Sequence, residues 1–205
     1  MKMKFDFSDK SLIILLAVNL FPIFGVFFLN WDSFEIIFLY VVETFIIGFI
    51  NVLKMSKKEG IEKFFLIPFF IFHYNFFILI QSIFVVIFWS IGNSGFDEIN
   101  ENFGNEIFYS IGSKDFIIAV LLIIFSHSVS FYKNYIKNKE FLLYNIGELM
   151  FLPYKRIIIQ QITVIGGAFI ILLLKAPIGF LIIFIVLKIY FDMRAHFKSH
   201  SKTIK

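Results

Sequence analysis

Cysteine is missing from all 205 positions. Its absence removes disulfides, thiolate metal sites, cysteine nucleophiles and iron–sulfur clusters from consideration, and it leaves the compartment unread. No soluble domain, internal repeat or low-complexity linker stands out either. The first apolar run lacks a small-residue cleavage site and is too long for a signal-peptide core. It therefore reads as a retained helix.

Apolar residues are what the chain has in excess. Its composition is 59% hydrophobic and 20% aromatic, against about 45–50% apolar in an ordinary soluble domain. The excess gathers into long runs, and a run of about 18 apolar residues with few charges reads as a membrane-spanning helix. Six such spans are expected, at about 11–29, 33–53, 64–91, 116–132, 157–174 and 177–192. "NWDS" makes a tight turn between the first two, and "KAP" between the last two.

The basic residues sort by loop. Lys2, Lys4 and Lys10 precede the first span. Lys54, Lys57, Lys58 and Lys63 lie between spans two and three. Lys133, Lys137, Lys139, Lys155 and Arg156 lie between spans four and five, and Arg194, Lys198, Lys202 and Lys205 follow the sixth. The opposite side holds only Lys114 and Lys175. Positive loops stay cytoplasmic, so both termini are expected inside, which agrees with an even number of spans. The fold class is thus an all-α polytopic membrane protein of six transmembrane helices. Its net charge of +4 is met by topology and by anionic lipid at the cytoplasmic loops, and a nucleic-acid partner is not required. Two shorter segments are amphipathic: about 96–111, expected outside, and about 138–152, expected as an interfacial or re-entrant piece inside that Pro153 ends.

Ionisable side chains at mid-membrane cost about 2.5–3.5 kcal/mol on insertion scales, and function is their default reading. Glu43 is the foremost case, a carboxylate inside "YVVETFIIGFINVLKM". At about 1.5 Å per residue, Glu43 and His73 lie about 15 Å from their span ends and His127 about 18 Å. In a core of about 30 Å all three share a level. Asp192 is expected about 22 Å down the sixth span, with His196 about 6 Å deeper. Lys188, Asp192 and His196 share a stripe at four-residue spacing. Lys54 and Lys188 are candidate counter-charges. Glu43, His73, His127, Asp192 and His196 would make a shell for a divalent metal such as Zn or Fe. Glu43 with His73 and His127 would equally serve as a catalytic base on water or as a proton relay. The bland reading is mutual pairing that fixes helix positions.

"YVVETFIIGFINVLKM", "FHYNFF", "SHSVSF", "PYKRI" and "LKIYFDMRAH" together resemble a family of small six-helix prokaryotic membrane proteins known only as a domain of unknown function. The resemblance implies the fold type and an inner membrane, and it brings no activity. Phe69 and His73 also match the Phe-x-x-x-His pattern of CAAX-type endopeptidases, which makes an intramembrane hydrolase the alternative. Glu43 lacks that family's paired glutamate, since Val42 and Thr44 flank it. "FSHSVS" is not the Gly-x-Ser-Gly of rhomboid proteases. A transporter would more typically show paired repeats or broken spans in both halves. Gly166 and Gly167 have no counterpart in the first half.

Overall fold

The structure, a computed structural model, describes residues 10–31, 33–92, 102–174, 185–187, 189, 190 and 193. Most of the expected sixth span lies outside these residues, including Lys188 and Asp192. So do His196, His200, the first two lysines and residues 93–101. The described residues form helices and no strand. In order they are α1 (Lys10–Phe28), α2 (Ser33–Ser56), α3 (Lys63–Gly92), the short α4 (Asn102–Gly112), α5 (Lys114–Ser130) and α6 (Ile146–Leu174). A π-helical segment, Phe131–Lys137, carries α5 onward, and a single 3-10 turn, Glu140–Leu142, precedes α6. Among the described residues, three helical stretches are long and apolar enough to cross a membrane: Phe34–Ser56, Lys63–Phe84 and Lys114–Lys137. A shorter apolar stretch covers Ala17–Phe28.

The α1–α2 connection shows why a turn this short closes. Asn30 takes the left-handed φ of +57°, which Asn tolerates better than most residues. That lets the Trp31 amide donate back to Gly25 O at 3.0 Å. The Trp31 indole then lies on Gly25, where a Cβ would come within 2.6 Å of the ring.

α2 is the hub, packing on α3, α5 and α6. Two apolar clusters form along it. One joins Phe34, Ile36, Ile37, Leu39 and Tyr40 to Trp31, Phe116, Ala119, Ile123 and Ile185. The other joins Met55 to Phe70, Tyr74, Tyr135, Leu149, Tyr154 and Ile157. The outward face of α3 is the reverse of a soluble helix. Phe65, Phe69, Phe72, Phe76, Leu79 and Ile83 recur every three or four residues and stand exposed, Phe72 by 80%. Six large apolar side chains on one exposed stripe suit a hydrocarbon solvent.

Helices are tied to one another by one recurring device, a side-chain donor on a neighbour's backbone carbonyl. Tyr74 donates to Thr44 O at 3.0 Å, Tyr135 to Lys54 O at 2.7 Å and Gln161 to Phe77 O at 3.3 Å. The fourth case corrects an expectation. Pro153 does not end a segment; it sits inside the continuous α6. A proline has no N–H for the carbonyl four residues back, here Leu149 O. That carbonyl instead accepts Asn51 Nδ2 from α2 at 3.0 Å. The helix runs through its proline because a neighbour replaces the missing bond. An Asn145–Glu148 capping box starts it, Glu148 N–H on Asn145 Oδ1 at 2.7 Å and Asn145 N–H on Glu148 Oε2 at 3.0 Å.

Candidate functional site

Glu43 sits on α2 between the two apolar clusters, 3% exposed. A lone carboxylate there would carry a desolvation cost of several kcal/mol. It is not alone. Arg156 Nη2, from α6, donates to Glu43 Oε1 at 2.5 Å. His127 Nε2, from α5, lies 3.4 Å from the same oxygen. Three helices therefore meet at one carboxylate. The Arg156 and His127 side chains keep 19% and 16% exposure against 4% for Glu43, so the acid is the most enclosed of the three.

Polar groups continue from this cluster. Thr44 turns its hydroxyl to Tyr40 O at 2.8 Å, which leaves Thr44 O to the Tyr74 hydroxyl. Tyr74 packs onto Gly48, where any Cβ would overlap its ring. Tyr74 and Tyr154 pack edge to face at 5.8 Å between centroids. Tyr154 OH then meets His73 Nδ1 at 2.9 Å. Tyr154 and Arg156 are two residues apart on α6, so one helical turn serves both the His73 and the Glu43 contacts.

The expected site residues divide accordingly. Glu43 and His127 are brought together. His73 stands apart from them on a tyrosine, stacked on Phe69 at 5.5 Å. The Phe-x-x-x-His spacing thus builds a ring stack and does not deliver His73 to Glu43. Asp192, His196 and Lys188 lie outside the described residues. Among the described residues no three His, Cys, Asp or Glu gather as a metal shell. Lys54 is not the counter-charge of Glu43: its ammonium lies over the Tyr135 ring at 5.5 Å, and Arg156 takes the carboxylate. Around His127, Asn134 Nδ2 donates to Ser130 Oγ at 3.3 Å, one turn into the π segment.

Arg156 is the residue that sequence reasoning placed wrongly, as one more loop charge beside Lys155. A signal for it exists. The chain has 17 lysines and only two arginines, Arg156 and Arg194. Where lysine serves nearly every surface role, an arginine marks a place that needs the planar fork for a carboxylate.

The family model that matches the chain covers residues 1–205, and it describes a family of unknown function (DUF6498). No curated protein matches, and no solved structure matches.

Proposed function

Because the chain belongs to DUF6498, a family without an assigned function, its activity has to come from the site, and we propose a proton-handling multi-pass membrane protein. The proton site is Glu43, with His127 as its exchange partner and Arg156 as its counter-charge. The observation that carries this is the single buried Glu43 oxygen shared by an imidazole and a guanidinium from two other helices. An imidazolium at His127 can pass its proton across the contact to Glu43, giving neutral imidazole and neutral acid. The carboxylate then no longer binds Arg156, and the tie between α2 and α6 loosens. Proton return restores it. Protonation thus becomes a helix movement, the kind of element a pump, a coupled transporter or a pH sensor needs.

The guanidinium also favours this reading over a resident metal. A divalent ion at Glu43 would sit beside a fixed positive charge. We place the chain in the inner membrane with both termini cytoplasmic, on the strength of the basic loops. The α2–α3 and α5–α6 connections share one end of the bundle, where Lys58 Nζ meets Phe141 O.

Infrared difference spectroscopy tests the site on the full chain in lipid. Lowering the pH should raise a carboxylic-acid carbonyl band that reverses on return and is missing in Glu43→Gln. No such band in the wild type would make Glu43 a permanent structural ion pair. Stoichiometric Zn or Fe in protein purified without chelator, lost in Glu43→Gln and His127→Ala, would instead restore the metal reading.

A further inference from the structure

Gln81 lies on α3 within the span Lys63–Phe84. It is wholly buried, at 0% exposure. Neither its amide nitrogen nor its amide oxygen has a hydrogen-bond partner. Such a group is rare, because buried polar side chains are almost always satisfied. A second orphan lies on the neighbouring helix α6. Gln161 of α6 donates Nε2 to Phe77 O, while its Oε1 is buried without a partner. Phe77 O is also the carbonyl that the Gln81 N–H takes in a regular helix. The Gln161 amide thus meets α3 within one turn of Gln81.

The orphan atoms have a definite chemistry. Gln161 is fixed with its nitrogen on a carbonyl, so its free atom is an acceptor. Gln81 offers one donor group and one acceptor whichever way its amide is turned. Two acceptors and one donor call for a small neutral molecule that donates twice and accepts once. Water does this, and buried waters typically make about three hydrogen bonds. A cation would leave the Gln81 NH₂ facing like charge, and an anion would face two oxygens. We propose that Gln81 and Gln161 form a buried water site between α3 and α6.

The site extends the polar path already described. Gln161 is five residues beyond Arg156, about 7.5 Å along α6, and Gln81 is seven beyond Tyr74, about 10.5 Å along α3. Water there lies away from the α2–α3 loop end, on the far side of the Glu43 cluster. This inference stands on its own residues and survives if Glu43 never changes protonation.

Radiolytic hydroxyl labelling of the full chain in nanodiscs, in ¹⁸O water and read by mass spectrometry, tests it. Hydroxyl radicals born from bound water mark adjacent side chains. Phe77 and Ile78 should label several-fold faster than the buried Phe70, and the excess should vanish in Gln81→Met/Gln161→Met, which keeps volume and removes the amides. Labelling of Phe77 at the Phe70 rate in the wild type, readable without any variant, would overturn the water site. So would a Phe77 rate unchanged in a folded double variant.

Discussion

Arg156→Gln should harm the protein more than Glu43→Gln does. The first leaves a buried carboxylate without its guanidinium; the second leaves a cation that is less deeply buried, at 19% exposure. Breaking a buried pair by removing one partner costs about 3–5 kcal/mol. Thermal unfolding in mild detergent should therefore rank Arg156→Gln lowest, with Glu43→Gln/Arg156→Gln recovering part of the loss. A double variant no more stable than Arg156→Gln alone would argue that the pair is not the cause. Gly48 is equally specific. Gly48→Ala should destabilise because Tyr74 occupies the space, and Tyr74→Leu should relieve the clash. At this scale the sequence was half legible. Glu43 and His127 stand out because a titratable group in an apolar run has no bland explanation at low cost. Arg156 does not, because Pro153 and Lys155 beside it imitate a loop. Gln81 was missed because an uncharged amide in a run of 30 residues hardly changes its apolarity.

Helix α6 depends on its neighbour. Asn51→Leu strands Leu149 O, and a buried acceptor left unsatisfied costs about 1–3 kcal/mol. Pro153→Ala supplies the missing N–H, so the Asn51→Leu penalty should shrink in that background. A double-mutant cycle on unfolding midpoints reads the coupling, about 1 kcal/mol or more; additive losses would mean that Asn51 acts by packing instead. Three other helices were legible because their apolar runs are long. The spans expected at 33–53 and 64–91 appear as α2 and α3, and the one at 116–132 appears as α5. α6 was misread from one rule, that proline stops a helix. The rule describes a helix alone, and the exception comes from a residue about 100 positions earlier. The π segment is hidden for the same reason. It turns Tyr135 inward onto Lys54 O, a demand set by packing and not by local propensity.

Across the whole molecule, the absence of cysteine allows a direct reading of topology. Single cysteines at Ser56 and Lys139 should react with an impermeant maleimide only from the cytoplasmic side, and one at Ser113 only from the opposite side. Equal labelling of Ser56→Cys and Ser113→Cys from one side would end the proposed orientation. The four ties between helices carry a further consequence. Each puts a chosen side chain on one end, Asn51, Tyr74, Tyr135 or Gln161, and a main-chain oxygen on the other. Every amino acid brings that oxygen with it. Leu149, Thr44, Lys54 and Phe77 can thus change side chain without losing these four bonds, and the heritable information for those ties is concentrated in four donors.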